Sequence, residues 1–251
     1  MLGEIRQQEI VNLTTEHKSV NIRELAQIFS VSEETIRRDL KKLEHDGKLR
    51  RTHGGALFNE NVHFVPPIDQ RNRENIEAKQ AIANKAAEFV SDRMTVMLDS
   101  GSTTLEIARR IANMNITVLT NDLTIAMELG PSQVQLIVLG GIQQKGTYTL
   151  TGHECEEAIQ RYHVDLVFIG TGGIGLKQGL TTSSSAESEL KRLMIQAGSQ
   201  VYCVADRFKV GNAALISFAG VPEVDAIITD AEEQNPILNQ LRHLGANFLL
   251  V

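Results

Sequence analysis

From Ile76 onward, short apolar runs alternate with amphipathic segments, and this alternation limits the possible folds more than any other feature of the chain. The runs fall at 95–98, 116–120, 134–139, 166–170, 201–205, 226–229 and 248–251. Helical patterns near 77–90, 104–112, 122–129, 153–161, 186–197 and 234–244 separate most of them. Strands that read as continuous apolar runs are buried on both faces. Such strands, with helices between them, predict a largely parallel sheet covered by helices.

The first 58 residues follow a different plan. Ile5, Ile10 and Leu13 form a helical stripe that is expected to end at Thr14-Thr15. Asn21 precedes Ile22 and stands three residues before Glu24, so a capping box is expected to open a second helix, with Ile22, Leu25 and Phe29 facing inward. Ser32 then caps a third helix, with Glu33 and Glu34 favourably placed in its first turn. Ile36, Leu40 and Leu43 make one buried stripe, which leaves Arg37, Arg38, Lys41 and Lys42 on solvated faces. After Gly47, the segment 48–58 reads as a basic hairpin around Gly54-Gly55. Residues 59–75 are polar, carry Pro66-Pro67 and read as a linker, which leaves 76–251 as the second domain.

Charge separates the two parts. The chain has a net charge of -6, yet residues 1–57 carry 10 Lys/Arg against 9 Asp/Glu, and the remainder carries 15 against 22. Between Thr35 and His53 there are 7 basic residues and 3 acidic ones. Local cation density governs phosphate contact, so an acidic total does not exclude nucleic acid. Three short helices and a basic hairpin form the layout of a winged helix-turn-helix. Its third helix suits the major groove and its wing suits flanking phosphate. The expected DNA contacts are Ser32, Thr35, Arg37 and Arg38 at the start of the third helix, with Lys41, Lys42, Lys48, Arg50 and Arg51 toward phosphate and His53 in the wing.

In the larger part, Asp99-Ser100-Gly101-Ser102-Thr103-Thr104 follows a strand and opens a helix, a small hydroxyl-rich turn suited to an anion. Asn121, Gly140-Gly141 and Gly170 stand at the next three strand ends, so one crevice is expected there. Cys155 and Cys203 are the only cysteines and have no metal-ligand spacing. With no membrane-length apolar run and no signal-peptide layout at the amino terminus, a cytoplasmic protein without membrane contact or cofactor is expected.

The run Ser32-Glu33-Glu34-Thr35-Ile36-Arg37-Arg38-Asp39-Leu40, with Arg6, Ile10 and Arg51-Thr52-His53-Gly54-Gly55-Ala56, resembles the DeoR-type bacterial transcription regulators. The resemblance extends over nearly the whole chain, through Asp99, Gly101, Ser102, Thr103, Thr104, Asn121, Gly140, Gly141, Gly152, Asp165, Gly170, Gly179, Glu187, Lys191, Asp206 and Lys209. It implies a Rossmann-like sensor domain similar to ribose-phosphate isomerases, in which Glu187 and Lys209 join the strand-end residues around a phosphorylated sugar effector. It also implies operator DNA as partner, a homodimer or homotetramer, and a repressor of carbohydrate catabolism. Two departures bear on ligand identity. Gln143-Gln144-Lys145 stands where an Arg often follows the Gly-Gly pair, and Asp206-Arg207-Phe208-Lys209-Val210-Gly211 replaces an Asp-x-Ser-Lys-Phe-Gly run. The alternative is a sugar-phosphate isomerase with an appended head, its base drawn from Asp99, Asp165 or Glu187. Against it, Thr171-Gly172-Gly173 stands where those enzymes carry paired acids.

Overall fold

A computed structural model describes residues 3–45, 49–52, 54–57 and 68–251. The chain divides into two compact units, Met1–Pro66 and Pro67–Val251.

The first unit runs α1 (Gly3–His17), β1 (Ser19–Asn21), α2 (Ile22–Phe29), α3 (Glu33–His45), β2 (Arg50–Arg51) and β3 (Gly55–Leu57). The helix α1 passes through the expected stop at Thr14-Thr15. Thr14 Oγ1 donates back to the Ile10 carbonyl at 2.6 Å, so its hydroxyl is satisfied inside the helix and does not end it. Asn21 caps α2 by accepting from Arg23 N–H at 2.8 Å, but no return bond from Glu24 completes a box among the described residues. Ile10, Leu25, Ile36, Leu40, Leu43 and Leu49 are buried together and make this unit's core. The expected hairpin exists as β2 against β3. Unexpectedly, β1 pairs with the other side of β3 to give the order β1-β3-β2. Gly55 is required at that junction, because a Cβ there would lie 1.9 Å from the Val20 carbonyl oxygen.

The second unit opens with α4 (Ile68–Arg73) and α5 (Ile76–Ala87). Residues 68–73, read from sequence as linker, are therefore helical. It continues through β4 (Thr95–Leu98), α6 (Ser102–Ile111), β5 (Thr117–Thr120), α7 (Leu123–Leu129) and β6 (Gln135–Val138). The hairpin strands β7 (Ile142–Gln143) and β8 (Leu150–Thr151) follow, then α8 (His153–Gln160) and β9 (Val164–Gly170). The remainder is β10 (Gly173–Gly175), β11 (Gly179–Thr182), α9 (Ser185–Ala197), β12 (Gly198–Val204), β13 (Ile216–Ala219), β14 (Ala226–Thr229), α10 (Pro236–His243) and β15 (Phe248–Leu250).

The seven apolar runs form one sheet in the order β15-β14-β12-β9-β4-β5-β6, parallel throughout. Side chains alternate across it. Val96, Leu98 and Phe168 meet Ile82, Leu105 and Ile107 on one face. Met97, Val167 and Cys203 meet Leu190, Met194 and Leu238 on the other. From β4 the chain winds outward to β6 and then returns to β9 on the opposite side. The switch point therefore lies between β4 and β9, the position at which open α/β sheets bind ligands. A small antiparallel sheet, β10-β11-β13, was not expected from sequence.

Candidate functional site

In the first unit, α3 presents its stripe as predicted. Ile36, Leu40 and Leu43 are buried, while Arg37, Arg38, Lys41 and Lys42 are exposed. Ser32 caps the helix, accepting from Thr35 N–H at 3.2 Å, and its Oγ lies 2.9 Å from Thr35 Oγ1. Below this surface, Asp39 is buried and ties α3 to α1. It accepts from Arg6 Nε at 2.6 Å and from Gln7 Nε2 at 2.7 Å. Each exposed arginine has an acidic neighbour: Glu33 lies 3.3 Å from Arg37, Glu34 lies 3.6 Å from Arg38, and Glu44 accepts from Arg51 N–H at 3.0 Å. Arg50 lies on β2, and Lys48 and His53 fall outside the described residues. The sequence named the basic side chains but not the acids that hold them.

In the second unit, Asp99 and Gly170 end the two strands that flank the switch point. Gly170 N–H donates to Asp99 Oδ2 at 2.8 Å, closing the seam. The buried Lys191 ammonium on α9 donates to the same carboxylate and to the Gly170 carbonyl at 3.0 Å. Burial pushes the Asp99 carboxyl above its ordinary value, and Lys191 opposes that rise. Asp99 and Lys191 thus pair in the buried seam beneath the strand ends.

Around this seam, Ser100 Oγ donates to Asp122 Oδ2 at 2.5 Å and lies 2.6 Å from Thr149 Oγ1. Gly101 precedes α6 and brings no side chain to cap the N–H groups of its first turn at Ser102 and Thr103. Thr104 Oγ1 instead bonds the Gly101 carbonyl at 2.9 Å. Asn121 is buried; its Nδ2 donates to the Leu150 carbonyl at 3.1 Å and its Oδ1 has no partner. Glu187 accepts from Thr182 Oγ1 at 2.8 Å. Gly141 adopts φ +135°, and a Cβ there would lie 2.6 Å from the Thr151 carbonyl oxygen, so it shapes the β7–β8 hairpin. Asp165 belongs elsewhere. It sits at the amino end of β9, where it accepts from Thr95 N–H at 2.7 Å, so it cannot act as a base at the carboxyl-end crevice.

Two cations that the sequence reading missed reach this region from the segment taken as linker and from the helix after it. Arg71 on α4 is buried enough to lower its pKa, and the charges of Glu187, Asp122 and Asp99 act against that fall. Lys79 on α5 is buried beside Asp206 and Lys209, and burial brings its pKa down to about 8. Its ammonium donates to the carbonyls of Arg71 and of Glu74, the latter at 2.7 Å, fixing the end of α4. Lys209 lies in the turn Arg207–Lys209 after β12, near enough for its charge to act on Lys79. The only sequence signal for Arg71 was its being one of two basic residues, with Arg73, in a polar stretch.

The two cysteines are buried as thiols, with pKa values pushed up to about 11 for Cys155 and about 12 for Cys203. Among the described residues, no group of His, Cys, Asp and Glu is arranged to hold a metal ion. No described helix is long and apolar enough to cross a membrane.

Two family models match this chain. Residues 6–62 match the DeoR-like helix-turn-helix domain, and residues 74–231 match the DeoR C terminal sensor domain. The transcriptional regulator GlpR of Haloferax volcanii is 34% identical over 92% of this chain and 91% of its own length. A putative aga operon transcriptional repressor of Escherichia coli O157:H7 is 30% identical over 98% and 93%. The transcriptional repressor GlcR of Bacillus subtilis is 30% identical over 100% and 97%. Among solved structures, ribose 5-phosphate isomerase from Methanocaldococcus jannaschii aligns with 54% of this chain and 55% of its own, with a TM-score of 0.41 and 17% identity. The chain is a transcription regulator rather than an enzyme, and it belongs to the DeoR family, joining a DNA-binding helix-turn-helix domain to a sensor domain for a small molecule.

Proposed function

We propose that this regulator is a cytoplasmic repressor of a carbohydrate-catabolic operon, and that a phosphorylated sugar bound at the switch-point crevice sets its grip on operator DNA. The observation that carries this reading is that Arg71 lies within electrostatic reach of Asp99, Asp122 and Glu187, and Lys79 within reach of Arg71 and Lys209, while no side chain caps the start of α6 after β4. Helix-start N–H groups and nearby cations suit a phosphate ester. Asn121 Oδ1, buried without a partner, suits a donor such as a sugar hydroxyl. Asp99 acts as a strut in this reading, while Ser100, Gly101, Ser102, Thr103, Thr104, Gly141, Gly170 and Glu187 form the surrounding wall.

On the DNA side, the reading assigns the major groove to Ser32, Thr35, Arg37 and Arg38, and phosphate to Lys41, Lys42, Lys48, Arg50 and Arg51, with His53 in the wing. Two relatives named as repressors support the direction of control. A homo-oligomer, dimer or tetramer, supplies paired reading heads. Ligand control then requires that the sugar phosphate bind one arrangement of the heads better than another. A thermal-shift screen of the purified chain against sugar phosphates tests the crevice. A phosphorylated sugar is expected to raise the melting temperature where its unphosphorylated parent does not.

A further inference from the structure

On a surface built to meet a polyanion, a carboxylate works against binding unless it does something else. The exposed face of α3 carries three carboxylates that contact arginines: Glu34 pairs with Arg38 one turn away on the same helix, while Glu33 and Glu44 also reach other elements. Glu44, in the last turn of α3, accepts from the backbone N–H of Arg51 at 3.0 Å, and its Oε2 lies 3.8 Å from the Arg51 guanidinium. Arg51 belongs to a two-residue strand at the sheet edge, so Glu44 satisfies a donor outside the ladder and staples wing to helix. Arg37, Glu44, Arg51 and Thr52 line one cleft of about 500 Å3 between α3 and the wing. At the other end of α3, Glu33 lies 3.3 Å from the Arg37 guanidinium and 3.7 Å from that of Arg23 on α2. All these pairs are exposed, so their contribution to folding is small.

We propose that Glu44 and Glu33 are positioning residues for DNA recognition. Glu44 fixes the wing so that Arg51 meets the backbone of the strand running through the cleft, and Glu33 aims Arg37 at a base edge. A positioned arginine arrives with its side-chain freedom already reduced, so less is lost per contact formed. The inference rests on the assignment of Arg37 and Arg51 to DNA given above.

Charge and positioning predict opposite signs, which makes the test sharp. Removing a carboxylate from this surface by charge alone strengthens binding to every duplex. The full chain is used to enrich a duplex from a random-sequence library, and affinity is then measured for that duplex and for a scrambled one of equal composition. Glu44→Ala is expected to weaken binding to the enriched duplex about tenfold, on the scale of one lost arginine contact. Binding to the scrambled duplex stays equal or tightens. Glu44→Gln keeps the acceptor for Arg51 N–H and recovers most of the loss, and Glu33→Ala shows the same pattern as Glu44→Ala. Tighter binding of Glu44→Ala and Glu33→Ala to both duplexes overturns the proposal. So does an equal change on both duplexes. Arg51→Ala and Arg37→Ala test the underlying assignment separately, because unchanged affinity in both removes these arginines from the interface whatever the glutamates do. Failure to enrich any duplex removes sequence recognition and the proposal with it.

Discussion

The Lys191 ammonium donates to the Asp99 carboxylate, and both groups are buried at the seam where β4 meets β9. The pair links the end of the strand that starts the sheet to the helix that follows β11, and through Gly170 it holds the two halves of the winding together. Lys191→Ala leaves an uncompensated buried charge and is expected to destabilise the sensor unit by about 3–5 kcal/mol. Urea unfolding followed at the sensor unit measures this. The double change Lys191→Met, Asp99→Asn should recover a large part of the loss. A cost under about 1 kcal/mol for Lys191→Ala would mean that the pair is not buried.

Lys79 gives the fold a pH dependence of known sign. Its pKa is about 8 in the folded chain against an ordinary 10.5. Between those values the unfolded chain binds more protons, so stability rises with pH, by at most about 1.4 kcal/mol per unit from this group. The gain is complete above the ordinary value and is lost as pH falls through about 8. Other groups titrate in the same range, so the informative quantity is the difference between the native chain and Lys79→Met. That difference should move in favour of the native chain as pH goes from 8 to above 10. A flat difference would contradict the burial of the ammonium.

Gly55→Ala places a methyl group 1.9 Å from the Val20 carbonyl oxygen, against backbone that cannot turn aside. Separation of β1 from β3 is expected to cost the DNA-binding unit about 1–3 kcal/mol, as in other overpacked sites. Duplex affinity should fall while effector-dependent melting of the sensor unit stays as in the native chain. Gly54→Ala is the control, since nothing lies within 4 Å of a Cβ there.

In the proposed reading, Arg71→Ala and Lys209→Ala each remove one cation from the effector site. Each should weaken a sugar phosphate by roughly tenfold or more, the scale of a hydrogen bond to a charged group. Calorimetric titration checks this. Unchanged affinity in both variants would place the phosphate elsewhere.

Much of this architecture was legible because buried parallel strands are apolar on both faces. Val96–Leu98 and Ile227–Ile228 could be read as strands without any partner in view. The third helix was legible for a related reason, since Ile36, Leu40 and Leu43 repeat at helical spacing. The small antiparallel sheet was not, because Gly173–Gly175 and Gly179–Thr182 carry too few side chains to show alternation. Strand β1, Ser19–Asn21, is three residues long and becomes a strand only because β3 offers an edge. In α4, six mostly polar residues are too few for a periodicity to emerge, so Arg71 stayed hidden. At the crevice, residue types were readable but roles were not. Asp99 looked like a ligand contact and is held by Lys191, a partner 92 residues away in sequence.

The central claim is that an anionic sugar in the crevice controls the duplex-binding surface. The most direct test is the affinity of the full chain for its enriched duplex, measured by fluorescence anisotropy with and without a panel of sugar phosphates and their unphosphorylated parents. The account predicts that at least one phosphorylated sugar changes duplex affinity by about fivefold or more, that its parent sugar does not, and that Arg71→Ala blunts the response. Duplex affinity that no phosphorylated sugar alters, or that the neutral parent alters equally, would contradict it.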